Sequence, residues 1–386
     1  PAIASAFTVG GQARFEAVDY DPGQGEDSQY FDQRFRVAFN WKVNDNVSTQ
    51  LRADFAEFRW GDGYRPEQGT NSADTIMVDR AWVKINQGPL TLTVGQQAGA
   101  FGQGLIWSDQ FQGVLANLNF APFGLNLLYV KESEGGAAGN TLTDDGTNDD
   151  TDIYGINLTF ANDMFSGGLI YAVYQDDGAS PDDERKGYSA YFSAPIASFT
   201  LRGGIAGFSG DVGTTDYVGT QLFLAADAAL TEARKVGGAC GWADYGDPGE
   251  AQVTTLEDGW AFNEIDFSGA MGYNNFSSIA YGTGIFDAAA LATNNDGTGH
   301  GSLGIIGKVQ FSVNEALTLW AKAGYFEPND SESNVDNVIL AVANFDWVWV
   351  PSVTVSGGIG YASPEYDDSA NDDAEILTTM QLTVAF

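Results

Sequence analysis

The stretch QYFDQRFRVAFNWK, residues 29–42, alternates. Phe31, Phe35, Val37, Phe39 and Trp41 fall on one side of an extended chain, and Asp32, Arg34, Arg36, Asn40 and Lys42 fall on the other. Successive side chains of a strand point to opposite faces, so the segment reads as a strand with one apolar and one charged face. The same period of two returns along the whole chain, at about 6–20, 47–60, 76–86, 89–96, 113–121, 124–132, 151–161, 164–175, 186–194, 198–208, 216–228, 232–245, 302–313, 316–327, 335–347, 351–364 and 374–386. With residues 29–42 that makes eighteen segments.

Two kinds of connection alternate between them. Tight ones such as Asn44–Asn46, Asn86–Pro89, Ala161–Asp163 and Val313–Glu315 contrast with long ones rich in Gly, Asp, Asn and Ser. The strands of a soluble sandwich run about five or six residues, whereas these run about ten, the length a tilted strand needs to cross a bilayer. In lipid every backbone group must be paired, so a sheet of this size has to close on itself. The expected fold is all-β, a transmembrane antiparallel β-barrel of about 18 strands forming one domain over residues 1–386. Residues 246–301 read as one long external loop, with a short helix at 286–291; any spanning segment there changes the strand number in steps of two, and 16 strands is the alternative.

Aromatic placement agrees with a bilayer. Phe7, Trp41, Phe120, Phe160, Phe165, Phe192, Phe199, Phe311, Phe345 and Phe386 stand on the apolar phase beside the tight turns. They read as one interfacial girdle, with Tyr20, Tyr171, Tyr188, Tyr325 and Tyr361 as candidates for the opposite rim.

Composition narrows the function. Fifty-two acidic residues against 17 basic ones give a formal net charge of -35, which repels nucleic acid and favours cations as company. Hydrophobic residues at 44% are too many for a disordered chain. No stretch approaches the ~20 apolar residues of a membrane helix. Cys240 is the one cysteine, so no intrachain disulfide forms; it reads as a small buried or lipid-facing residue. The small residues of Pro1–Ala6 are like a signal-peptidase site, and the expectation is a mature or nearly mature chain. His300, in GTGHGS, is the one histidine and the one candidate general base, and no partner motif accompanies it. The chain therefore reads as no enzyme and as needing no cofactor. Acidic runs at Asp144–Asp145, Asp149–Asp152, Asp182–Glu184 and Asp372–Asp373 do not have the spacing of a calcium loop. They read as solvated, self-repelling loops, with divalent cations bridging to lipopolysaccharide as the alternative.

The chain resembles bacterial outer-membrane porins. The resemblance is carried by the terminal MQLTVAF, residues 380–386, by Val78–Ile85 (VDRAWVKI), by Thr93–Gln97 (TVGQQ), and by the rhythm of short turns and long loops. It implies an integral bacterial outer-membrane protein with short periplasmic turns and long external loops. Met380, Leu382, Val384 and Phe386 then look like the membrane-insertion signal read by the barrel-insertion machinery. The resemblance further implies a homotrimer and a third long loop folded inward, placed here at residues 98–111. Such a constriction sets acidic loop residues against a basic ladder, and the counterparts here are Arg14, Arg34, Arg36, Arg52, Arg80 and Lys84, with Asp109 as the loop's one carboxylate. Nine of the 17 basic residues precede position 85, so this clustering is not even scatter.

The implied function is a water-filled channel for passive diffusion of ions and small hydrophilic solutes. A substrate-specific channel for sugars or small organic acids is the alternative, with lumen-phase Trp82 and Trp320 as stacking candidates. The acidic loops are expected to draw cations at low salt and the basic wall to favour anions at high salt.

Overall fold

The computed structural model describes residues 6–21, 27–60, 76–101, 106–133, 151–176, 183–212, 215–243, 251–252, 302–328, 335–366 and 374–386. In chain order the strands are β1 (Ala6–Asp21), β2 (Ser28–Lys42), β3 (Val47–Arg59), β4 (Ile76–Gln87), β5 (Leu90–Phe101), β6 (Trp107–Phe120), β7 (Phe123–Ser133), β8 (Thr151–Ala161), β9 (Ser166–Asp176), β10 (Asp183–Ile196), β11 (Phe199–Val212), β12 (Thr215–Thr231), β13 (Arg234–Ala243), β14 (Ala251–Gln252), β15 (Ser302–Ser312), β16 (Leu317–Pro328), β17 (Val335–Val350), β18 (Val353–Tyr366) and β19 (Glu375–Ala385). Each long strand pairs antiparallel with the next, β13 pairs with β15, and β19 returns to β1. The two-residue β14 lies off this ring, parallel to β12 at Tyr217 and Val218. The barrel is thus closed with eighteen long strands, as the alternation predicts.

Closure is made by the chain ends. Gly11 N–H donates to the Phe386 carbonyl at 2.8 Å, and Phe386 N–H donates to the Gly11 carbonyl at 3.1 Å. The Phe386 ring stacks on Phe35 with centroids 5.3 Å apart, over a position where a Gly11 side chain would collide with it.

Three of the tight turns share one device. The side-chain oxygens of Asn44, Asn162 and Asn314 each accept backbone N–H groups two and three residues on, at 2.8–2.9 Å. An Asx turn of this kind reverses the chain without needing a glycine. The β4–β5 turn instead uses Gly88 at φ 57°, where a side chain would be strained.

Alternation sorts the two faces cleanly. On β19, Met380 is 50% exposed while Thr379 and Gln381 beside it are 4% and 6% exposed. In a barrel the outer face meets lipid and the inner face is hidden, so the exposed apolar phase is the outside. Phe7, Trp41, Phe120, Phe165, Phe199, Phe311 and Phe386 of the expected girdle are all exposed on it. Tyr171, Tyr188, Tyr325 and Tyr361 are exposed as well, and so is Cys240. Tyr20 departs from the expectation: it is paired with the fully buried Leu377 on the inner phase and donates to Glu375 Oε2 at 3.3 Å. Tyr20 is in phase with Gln12, Arg14 and Glu16, which sets it on the inner face.

The stretch 98–111 holds more strand than its composition suggests. Cross-strand pairing of β5 with β6 runs through Ala98–Gln110 and Gly99–Asp109 to Phe101–Trp107, which leaves residues 102–106 as the connection. Ladder hydrogen bonds come from the backbone, so a Gly- and Ala-rich run can still take part in them. Ile106, just before β6, is fully buried and belongs to an apolar cluster with Phe111, Leu128, Val130, Ile153 and Phe208, which lie on the inner phase of β6, β7, β8 and β11. The expected helix at 286–291, His300 and all but two residues of the 246–301 loop lie outside the described residues.

Candidate functional site in the barrel lumen

The six predicted basic residues come together. Arg14 of β1 is the cross-strand partner of Arg34 of β2, and Arg52 of β3 is that of Arg80 of β4. Arg36 of β2 and Lys84 of β4 share the same inner face. Directly opposed like charges destabilise a ladder unless something compensates them, and carboxylates on the same wall do so.

Arg36 grips Asp54 with both prongs, Nε 2.5 Å from Oδ1 and Nη2 2.7 Å from Oδ2. Its Nη2 also lies 3.5 Å from Asp79 Oδ2, which Arg52 Nε engages too. Arg14 Nε stands 4.0 Å from Glu16 Oε2, and Glu16 is opposite Asp32 across β1–β2. Arg34 Nη2 donates to Gln12 Oε1 at 3.4 Å. Lower on the wall, Lys84 Nζ lies 5.2 Å from the Trp82 ring centroid, and Trp82 Nε1 donates to Gln50 Oε1 at 3.2 Å. Gln50 in turn donates to Asn40 Oδ1 at 2.7 Å.

Sequence reasoning missed the acidic partners. Asp54 follows Arg52 on the polar phase and was legible. Asp79 is adjacent to Arg80, so strict alternation would place it on the outside. A β-bulge between the Arg52–Arg80 and Ala53–Val78 pairs lets both side chains face inward. Asp109 pairs with Gly99 through the backbone, and its side chain lies outside the described residues. Trp320, the other stacking candidate, is on the inner phase but only 6% exposed.

Among the described residues, these six cations stand against the four carboxylates of Glu16, Asp32, Asp54 and Asp79, a surplus of two positive charges. An ordered set of fixed charges lining a polar passage acts on mobile ions by field and by hydrogen bonding, without bond chemistry. Among the described residues no group of His, Cys, Asp and Glu is arranged to hold a metal ion. Of the insertion-signal residues, Met380 and Phe386 are exposed on the outer phase, and Leu382 and Val384 are half-buried on it.

A family model described as Gram-negative porin matches residues 1–263. Comparison with curated proteins returned no match. Among solved structures, the chain is similar to three from Pseudomonas aeruginosa. OccK8 (OprE) is 10% identical, with 98% of each chain covered and a TM-score of 0.64. OccK9 (OpdG) is 13% identical, again with 98% of each covered, at 0.63. The outer membrane protein opdK is 11% identical, with 99% of this chain and 98% of that one covered, at 0.62. At such identities the likeness speaks for the fold. With more than half of its length matched by the family model and the rest continuing the same ring of strands, the chain belongs to the Gram-negative porin family, integral β-barrels of the outer membrane through which solutes diffuse passively.

Proposed function

We propose that the wall of Arg14, Arg34, Arg36, Arg52, Arg80 and Lys84 is the selectivity element of this diffusion channel. The observation that carries the reading is the surplus of positive charge on one inner face of four consecutive strands. Crowded cations are tolerable where water and mobile anions share the space, and costly in a dry core. The third long connection, which this reading sets against the wall, follows Phe101, and Ile106 at its end is buried in an apolar cluster. Small hydrophilic solutes and ions pass without chemical change, a transport role in place of catalysis.

Three finer readings accompany this one. The chain assembles as a homotrimer through small outer residues such as Val9, Gly11 and Ala13. Its terminal Met380, Leu382, Val384 and Phe386 address it to the barrel-insertion machinery. Its outer rim contacts lipopolysaccharide, with divalent cations at the acidic loops as the bridging alternative. The test is liposome swelling with purified protein, comparing uncharged sugars of rising size. A graded fall in rate with size supports the diffusion channel, and swelling with one sugar alone overturns it. Trimer dissociation on heating is read in the same preparation by its mobility in mild detergent.

A second reading, a channel specific for small organic acids, is favoured by Trp82. Its ring is held beside Lys84 and Gln50 on the basic wall, an arrangement that suits an anion with a flat apolar body. Faster uptake of an aromatic carboxylate than of a size-matched hydrophilic one, lost in Trp82→Ala, would establish it.

A further inference from the structure

Two strands leave the barrel wall together. β4 pairs with β5 only as far as Ala81–Gln96, and β7 pairs with β6 only from Lys131–Gln112. Beyond that level, residues 97–101 and 107–111 pair with each other, from Gln97–Phe111 to Phe101–Trp107, and with no other strand among the described residues. They form a two-stranded ribbon that continues past the ladder of the wall.

Glycines stand where the ribbon departs. Gly95 and Gly113 are direct cross-strand partners. Gly95 has φ 119°, and a side chain there would run into the Ala81 carbonyl of β4; at Gly113 it would run into the Tyr129 carbonyl of β7. At both positions the chain is turned in a way that a residue with a Cβ cannot follow.

The outward phase changes character at the same level. Before it stand Val94 and Val114, apolar as a lipid-facing wall requires. Past it stand Gln96, Ala98, Gln110 and Gln112, and the last three are exposed. Carboxamides are costly in hydrocarbon, so this face is turned to water and the ribbon lies off the membrane wall. Gln96 Nε2 donates to the Val78 carbonyl at 2.9 Å, a side-chain bridge to β4 beyond the last backbone pair.

The opposite face of the ribbon is buried. Gln97 is 5% exposed and Phe111 3%. The Phe111 ring lies over Gly99, and Phe111 and Ile106 join Leu128, Val130 and Ile153 in the apolar cluster on the inner wall. A two-stranded ribbon alone in water is marginally stable at best, so this seat is what fixes its position.

We propose that the ribbon of residues 97–101 and 107–111 is a flap, hinged at Gly95 and Gly113, that swings between its seat on β7 and β8 and an upright position and so gates the lumen. The inference rests on the reading of the lumen as a water-filled passage. Seated, the flap covers the inner wall and occupies part of the passage. Upright, it frees both, so the channel has two conductance levels. A few residues that absorb a change of backbone angle are enough for such a motion.

The experiment is thiol labelling of Ile153→Cys in a Cys240→Ser background, with the purified protein in planar bilayers. Position 153 is fully buried in the seat, so a charged methanethiosulfonate is expected to react slowly there. Gly95→Val sets a branched side chain against the Ala81 carbonyl, and Ile106→Asp puts a charge into the seat. Each is expected to hold the flap up, raise the labelling rate on the order of tenfold, and keep the channel at its higher conductance level. Gly307→Val, on the outer face with open space around it, leaves rate and conductance unchanged. Unchanged heat-dependent mobility on gels shows that each variant is folded. A conducting channel whose Ile153→Cys stays equally slow in folded Gly95→Val and Ile106→Asp variants overturns the flap alone. So does labelling that is already fast before either change. A protein that passes neither sugars nor ions overturns the channel reading, and the flap with it.

Discussion

Arg36 and Asp54 face each other across β2 and β3 as a two-pronged ion pair inside the lumen wall, at 2.5 and 2.7 Å. The carboxylates of this wall therefore stand among the arginines they compensate. Removing the carboxylate raises the wall's surplus of positive charge by one. Asp54→Asn is expected to move the reversal potential in a salt gradient toward anions. It is also expected to lower the barrel's thermal stability by roughly 1–3 kcal/mol, the range for a hydrogen bond to a charged group.

Faces can be tested by placing charge where it does or does not belong. Arg52 and Arg80 lie inside, whereas Phe35 and Leu51 are exposed on the outer phase. Glutamine at both arginines is expected to leave folding intact and shift the reversal potential toward cations. Arginine at Phe35 or Leu51 is expected to impair insertion, at a cost of roughly 2–4 kcal/mol near the bilayer midplane. The readouts are bilayer recordings for the first pair and recovery of folded protein for the second.

The Gly11–Phe386 junction extends the closing β1–β19 ladder by one more pair. Deleting Phe386 removes both backbone bonds to Gly11 and the stack on Phe35. Gly11→Val sets a branched side chain against that ring. Both changes are expected to slow or abolish assembly into the outer membrane while secretion across the inner membrane is unchanged. Pulse-chase fractionation of the envelope measures this, and normal assembly of the truncated chain would remove the role given to the terminal residue.

Residue identity made much of this fold legible, and the exceptions have physical causes. Phe31, Phe35 and Phe39 against Arg34 and Arg36 announce a two-faced strand, and Asn44, Asn162 and Asn314 announce its reversals. Asp79 was hidden because a bulge changes phase by one residue without a marker in the composition. The 98–111 segment reads as a loop because the resemblance sets the third long connection there, although backbone pairing continues through residues 98–101 and 107–110.

Ile106 offers a test of the connection between β5 and β6. Its side chain is fully buried against Phe111, Leu128 and Ile153. Burying an aspartate in that apolar cluster is unfavourable by several kcal/mol, so Ile106→Asp is expected to release the connection. Single-channel conductance then rises while the barrel keeps its heat-dependent mobility. An unchanged conductance in a folded variant would mean that this segment does not narrow the passage.

The proposed selectivity element acts through fixed charges on the lumen walls of an open, water-filled channel. Reversal potential under a KCl gradient, measured with the purified protein at a series of mean ionic strengths, tests it most directly. At molar salt the Debye length is ~3 Å, so the acidic outer loops are screened and the walls dominate. At ~0.01 M it is ~30 Å, and the field of a chain with net charge -35 reaches the mouth. The predicted result is anion preference at high salt that gives way toward cations as salt falls. Cation preference that is strongest at molar salt, or no conductance at all, would contradict the account.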